Sequence, residues 1–212
     1  VVSVFLKLSD FIKKIDQHSK NAIRSEIQAQ LDRLSAKKYE ELSLRICDRL
    51  MTLPIVQASE TIHVYWPVTS SRETDIRPAI SALIDAGKRI VLPVVESFSR
   101  EPTEHPRLRH ETFTDSHQLV ANRWGILEPV GGQPVDANEI DLVITPAKAI
   151  DLFGTRLGHG FGYYDEFLKP LNAITVCPIF DFARVKHIPK EPHDVQIAYT
   201  VTEHAIWKNS GT

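Results

Sequence analysis

The sequence predicts an α/β fold, a three-layer αβα domain with a mainly parallel sheet, helices on both faces and an N-terminal helical pair packed against it. Three observations carry the prediction. Helical apolar stripes fill residues 19–53, a strand, loop, helix, strand unit follows at 61–95, and buried-strand runs return at 140–146 and 173–180. A chain of 212 residues fits one such domain, 1–212, with residues 1–18 as an N-terminal extension.

Each element has its local reason. "SKNAIRSEIQAQLDRL" sets Ile23, Ile27, Leu31 and Leu34 on one helical face, and "SAKKYEELSLRICDRLMTL" does the same with Tyr39, Leu42, Ile46 and Leu50. Ser35 is expected to cap the second helix and Pro54 to stop it. "TIHVYWPV", Thr61 to Val68, is β-branched and aromatic, and after the polar "TSSRETD" comes a helix, "IRPAISALIDAG", closed by Gly87. The strand "RIVLPVV" follows directly, so the unit is βαβ and its strands parallel. Glu96 to Leu119 is polar and proline-bearing, and predicts a loop or short antiparallel excursion. "IDLVITP" at Ile140, "AITVCPIF" at Ala173 and a last strand, "AYTVTE" at Ala198, complete the sheet, with an amphipathic helix starting near Tyr163.

Composition narrows function. Apolar residues make up 42%, charged residues 25%, and the formal charge is -2, which offers a phosphate polymer or anionic lipid no general attraction. Nucleic acid and membrane partners are therefore not expected. No apolar run approaches the roughly 20 residues of a membrane helix. "VVSVFLKLSDFIKKI" has neither a basic start nor a small-residue cleavage site, so a cytoplasmic protein is expected. Cys47 and Cys177 each sit in an apolar context and predict buried free thiols in a reducing compartment.

The chemistry concentrates in "GTRLGHGFGYYDEFL". Four of the nine glycines, Gly154, Gly158, Gly160 and Gly162, fall within nine residues, directly after the strand "DLVITP". Ligands of open α/β sheets bind at the carboxyl ends of strands, and glycines at alternate positions let backbone N–H groups approach an anion. Arg156 adds charge-assisted donors, the following helix points its positive end at the same place, and Asp165 on its first turn suits Mg²⁺ held beside a phosphate. The spacing matches neither G-x-x-x-x-G-K-S/T nor G-x-G-x-x-G. A tight turn with a close helix approach is an equal rival to phosphate binding, and a dipole-favoured helix acid a rival reading of Asp165.

"NRWGILEP" (Asn122 to Pro129), "IDLVITPAKAIDLFGTRLGHGFGYYD" (Ile140 to Asp165) and "IPKEPHD" (Ile188 to Asp194) occur in this order, with Lys20-x-x-x-Arg24, "ETD" at Glu73 and "VLP" at Val91. The set resembles the 5-formyltetrahydrofolate cyclo-ligase, or methenyltetrahydrofolate synthetase, family across most of the chain. The resemblance implies a NagB/RpiA/CoA-transferase-like fold and a monomeric enzyme. Its reaction would be closure of 5-formyltetrahydrofolate to 5,10-methenyltetrahydrofolate, driven by ATP and Mg²⁺ with release of ADP and phosphate. It further implies that ATP is bound by Lys20, Arg24, Arg156, Leu157, Gly158, His159, Gly160, Phe161, Gly162, Tyr163 and Tyr164, with Arg156 and Lys20 catalytic. Folate would be bound by Val68, Glu73 and the loop residues His159, Gly160, Phe161, Gly162 and Tyr163, and Mg²⁺ by Asp165 and Asp194. The i, i+4 spacing of Lys20 and Arg24 does put both cations on one helical face.

This chain departs from the family pattern at Phe161, where glycine or lysine is common, and at Lys148, Ile150, Pro178 and Arg184. The last four are expected to alter the folate side of the pocket. Two alternatives follow from these departures: a relative that binds nucleotide or folate without this turnover, and one acting on another substrate, such as a thiamine-linked compound.

Overall fold

The computed structural model describes residues 19–97 and 107–209. The expected extension, 1–18, lies outside them. The first helix, α1, is described over residues 19–33 and continues through Ser35 into α2, Ala36–Met51. Ser35 caps α2 as its sequence predicts, its hydroxyl accepting the Lys38 N–H at 3.2 Å. α2 ends at Met51 with its C-cap at Thr52, two residues before Pro54, as expected. Pro54 also opens a further short helix, α3 (Pro54–Ala58), at a first-turn position that needs no N–H.

Seven strands form the main sheet in the order β12-β11-β9-β6-β1-β2-β3. The inner strands β1 (Thr61–His63), β2 (Arg89–Ser97), β6 (Leu142–Ile144), β9 (Ile174–Pro178) and β11 (Tyr199–Val201) pair in parallel. β3 (Arg107–Phe113) and β12 (Ile206–Lys208) pair antiparallel at the two edges. Ile62, Leu142, Val143, Ile144 and Val176 are fully buried, as strands covered on both faces require. The helix α4 (Arg77–Asp85) crosses between β1 and β2; α2 packs on α4, β9 and β11. The remaining helix, α5 (Tyr163–Leu168), packs on β3.

Among the described residues, two strands of the main sheet have no definite place in the sequence reading. β3 lies in the polar segment expected to be a loop or short antiparallel excursion and is the latter, an edge strand paired antiparallel with β2 in which His110, Glu111 and Phe113 are buried. β12 follows the strand expected to be last. The β1 ladder is also shorter than "TIHVYWPV" suggests, ending once the Val64 N–H has reached the Val91 carbonyl at 2.9 Å. By alternation Pro93 faces the same side just beyond that end, where its missing N–H forfeits no ladder bond.

Two small sheets complete the chain. One is a β4–β5 hairpin (Leu119–Ala121, Leu127–Pro129), the other the order β10-β7-β8 from Arg184–Val185, Ala149–Asp151 and Arg156–Leu157. Cys47 and Cys177 are buried and free, and burial pushes their thiols up to about 11 and about 12, which leaves them unreactive. Among the described residues no helix is long and apolar enough to cross a membrane.

Candidate active site

From β1 the chain moves to β2 on one side of the sheet, whereas β6, β9 and β11 lie on the other. The loops leaving β1 and β6 therefore diverge, and a crevice opens at the carboxyl ends of these strands. It holds a cleft of about 620 Å³, lined by residues 65–73 from the β1 loop and 156–165 from beyond β6. Lys20 and Arg24 of α1 and the segment 191–194 close its polar end.

The glycines do not follow β6 directly. A β7–β8 hairpin intervenes, and Gly154 belongs to its turn rather than to the cleft. In the loop proper, two glycines leave room for arginine tips, and Gly160 also takes a φ of 99° that side chains rarely adopt. A Cβ at position 158 would stand 2.9 Å from Arg156 Nη1, and one at position 160 would stand 3.4 Å from Arg24 Nη2. Arg24 Nε in turn donates to the Gly158 carbonyl at 2.9 Å, fastening α1 to the loop. α5 has only six residues, so side-chain cations, not a long helix dipole, supply the positive charge at this end of the cleft.

Arg156 is buried, its Nη2 donating to Asp165 Oδ1 at 2.9 Å and its guanidinium 5.5 Å from the centre of the Tyr164 ring. Its Nε is buried with no partner among the described residues. Lys20, 5% exposed, donates to Glu191 Oε2 and to Asp194 Oδ2, the latter at 3.3 Å. Glu191, His193 and Asp194 bring ligand atoms within 4.8 Å of one another, beside that ammonium. Carboxylate oxygens here and on Asp165 are the donor type a hard cation such as Mg²⁺ takes.

Glu73 is buried between two attachments. Its Oε2 accepts the Val68 N–H at 2.9 Å and its Oε1 lies 2.8 Å from His159 Nε2, joining the β1 loop to the glycine loop. The remaining wall is apolar, formed by Trp66, Leu92, Pro93, Leu108 and Leu127. Phe161 stands half-exposed at the cleft's edge, its ring 6.4 Å from Tyr163, so the bulky side chain is accommodated without entering the loop's interior. Behind the cleft, Tyr164 and Phe167 of α5 pack against His63 and His110, with Phe167 ring centres 4.8 and 4.3 Å from the two imidazoles. Burial lowers His63 well below the ordinary imidazole range and His110 to about 4, so both rings are neutral.

Every candidate from Lys20, Arg24, Val68 and Glu73 through Arg156 to Asp165, and Asp194, lies on this one cleft. The departures behave differently from expectation. Ile150 and Pro178 are strand residues outside the lining, Arg184 stacks 3.8 Å over the Trp207 ring, and Lys148 lies beneath the β1 loop. None of the four lines the cleft. Trp124 is also outside the lining, under the Arg123 guanidinium at 4.1 Å. Trp66 lines the cleft instead, braced edge-on by Phe113 at 5.4 Å. Its signal was its place just past a strand's carboxyl end. Glu191 and His193, missed as well, are flagged only by adjacency to Asp194.

Comparison with known proteins agrees along nearly the whole chain. The family model described as "5-formyltetrahydrofolate cyclo-ligase family" matches residues 16–203. The 5-formyltetrahydrofolate cyclo-ligase of Escherichia coli K12 is 31% identical over 82% of this chain and 95% of its own. A probable 5-formyltetrahydrofolate cyclo-ligase of Schizosaccharomyces pombe is 24% identical over 90% of this chain and 98% of its own. The NMR structure of Aquifex aeolicus 5,10-methenyltetrahydrofolate synthetase superposes with a TM-score of 0.78 at 26% identity, covering 91% of this chain and 94% of that one.

Proposed function

The chain belongs to the 5-formyltetrahydrofolate cyclo-ligase family, and we propose that the cleft between the β1 and β6 loops is where it closes 5-formyltetrahydrofolate to 5,10-methenyltetrahydrofolate, consuming ATP. The observation that carries the reading is convergence. Arg24 reaches across 134 residues of sequence to the Gly158 carbonyl, on the glycine loop that also carries Arg156, in the same cleft as the buried carboxylate of Glu73.

The chemical problem is a poor leaving group. A formyl oxygen cannot depart as oxide, so it first attacks the terminal phosphorus of ATP; the bond to ADP breaks and an imidate phosphate forms. The neighbouring folate amine then adds to the formyl carbon, the carbon–oxygen bond breaks, phosphate leaves and the amine loses its proton. Such steps need in-line positioning and charge neutralisation more than covalent help from the protein.

Arg156 and Lys20 supply that neutralisation. Arg156 Nε, buried and unpartnered, is a donor waiting for an anionic oxygen, and Lys20 has acids close enough to exchange for phosphate. Arg24 and backbone groups of Leu157 to Tyr164 surround the nucleotide. Glu73 takes the donor-rich pterin edge, Val68, Tyr163 and Phe161 flank the rings, and His159 joins the two halves through its bond to Glu73. Bound with ATP, Mg²⁺ would neutralise phosphate charge; Asp165 and Asp194 would hold it, with Glu191 and His193 adjacent. In this reading residues 1–212 act as one monomeric domain of the cytoplasm, a reducing compartment that suits the two buried free thiols.

Equilibrium titration tests the assignment. The intact protein should bind Mg·ATP and 5-formyltetrahydrofolate. Replacing Arg156 by Gln should weaken ATP roughly a hundredfold, the scale of a buried charge-assisted contact, and leave folate binding nearly unchanged. Undiminished ATP binding by that variant would remove Arg156 from the nucleotide site.

A further inference from the structure

Lys148 is a buried amine that the reaction above does not use. It follows β6, and its Nζ donates to Gln28 Oε1 of α1 at 2.9 Å and to the Ser71 carbonyl of the β1 loop at 3.1 Å. Only 8% of it is exposed, and burial lowers its pKa. A desolvated ammonium is a costly means of stabilising a fold, since an apolar side chain of similar length would fill the same space. What it adds is direction, through two oriented bonds to two different elements.

Those elements are the two arms of the cleft. Lys20, Arg24 and Gln28 follow one another at i, i+4 and i+8, so one face of α1 carries both nucleotide-side cations and the Lys148 contact. Gln28 is itself oriented, its Nε2 donating to Asp32 Oδ1 at 2.9 Å. On the other arm Ser71 precedes Glu73 by two residues. Between them Arg72 is, among the described residues, the sole non-glycine with positive φ, at 52°. That strained turn is held by Arg72 Nη1 donating to the Leu34 carbonyl, just past α1, at 2.7 Å. Tyr39 of α2 donates its hydroxyl to the Glu73 carbonyl. The loop bearing Glu73 is thus fastened directly to Leu34 and to Tyr39 of α2, and to α1 itself through Lys148.

We propose that Lys148 is a positioning residue that locks the Glu73 loop to α1, so that the nucleotide arm and the folate arm of the cleft are set in one geometry. It touches neither substrate. The proposal rests on the reading of the cleft given above, and predicts that losing the tie harms both substrates together, because each arm loses its reference to the other.

The test compares full-length wild type with Lys148→Met, Lys148→Arg and Gln28→Leu. In Lys148→Met the KM for ATP and for 5-formyltetrahydrofolate should both rise about tenfold, a fraction of what two hydrogen bonds to a charged group are worth because Lys148 acts only through the arms, with a smaller change in kcat. Lys148→Arg, which keeps donors, should recover much of the loss, and Gln28→Leu should reproduce part of it. Hydrogen exchange should quicken at residues 69–73 and in α1 of Lys148→Met while β6 and β9 stay unchanged. A lower melting temperature with both KM values unchanged, a rise for one substrate alone, or a uniform rise in exchange would overturn the proposal. If Lys148→Met fails to fold, Lys148→Arg and Gln28→Leu make the same comparison. Were wild type itself to yield no product, the reaction assignment would fall, and exchange would still decide whether Lys148 ties the arms.

Discussion

The ammonium of Lys20 stands 3.3 Å from Asp194 Oδ2, so a helix near the start of the chain and a turn near its end neutralise each other across the cleft. Both groups are almost wholly buried, and the same ammonium also reaches Glu191. If Asp194 serves Mg²⁺ and Lys20 serves phosphate, the two variants should separate. Asp194→Asn should raise the Mg²⁺ concentration giving half-maximal rate by about tenfold or more, as loss of one hard carboxylate ligand implies. Lys20→Met should raise the KM for ATP with little change in the Mg²⁺ requirement. Initial rates across a Mg²⁺ series decide this, and an unchanged requirement in Asp194→Asn would take Asp194 out of the metal site.

Glu73 offers one oxygen to the Val68 N–H and one to His159. Glu73→Gln keeps an acceptor for the backbone but loses the charge that would meet the pterin's donors. The KM for 5-formyltetrahydrofolate should rise at least roughly tenfold, the worth of a charge-assisted hydrogen bond, with the KM for ATP nearly constant. Steady-state kinetics with each substrate varied gives the answer; an effect on ATP alone would contradict the assignment.

At Gly158 an added Cβ would meet the tip of Arg156, a flexible group that can retreat. Gly158→Ala should therefore cost little thermal stability, within about 1 kcal/mol. Displacing the guanidinium from Asp165 should nonetheless raise the KM for ATP several-fold. A large fall in melting temperature, or unchanged ATP kinetics, would show that the glycine serves the fold and not the arginine.

The His63–His110 cluster ties stability to pH. The unfolded chain titrates its histidines near about 6.5, whereas burial holds His110 to about 4 and His63 well below its ordinary range. Below about 6.5 the unfolded state takes up protons that the folded state refuses, so stability is complete above that pH and falls as pH drops towards about 4. For His110 alone the loss is about 2–3 kcal/mol. Denaturant midpoints between pH 7 and pH 5 should show the slope, and His110→Phe should flatten it. An identical slope in that variant would place the acid sensitivity elsewhere.

The parallel centre of the sheet was legible because β1, β6 and β9 are largely buried and rich in β-branched and apolar residues, without a break in β6. β3 was legible only as a loop or short antiparallel excursion, because its buried residues include the polar His110 and Glu111 and so break any apolar pattern. The cleft's polar end could be read from Arg156, the glycines and Asp165, which are adjacent in sequence. Leu108 could not, since an apolar wall assembled from separate strands has no local pattern, and Trp66 was marked only by its place just past a strand's carboxyl end. Arg184 misled for the converse reason: a residue that departs from a family pattern changes a site only if the fold delivers it there, and β10 delivers it to Trp207.

The most direct measurement is of turnover. Purified protein incubated with 5-formyltetrahydrofolate, ATP and Mg²⁺ should produce the near-ultraviolet absorbance of the methenyl product, with one ADP released per ring closed. The signal should vanish without ATP, and should fall by two orders of magnitude or so in Arg156→Gln, the range seen when a buried donor to a developing anion is removed. Product formation independent of ATP, or none at all from well-folded protein that still binds both substrates, would contradict the account.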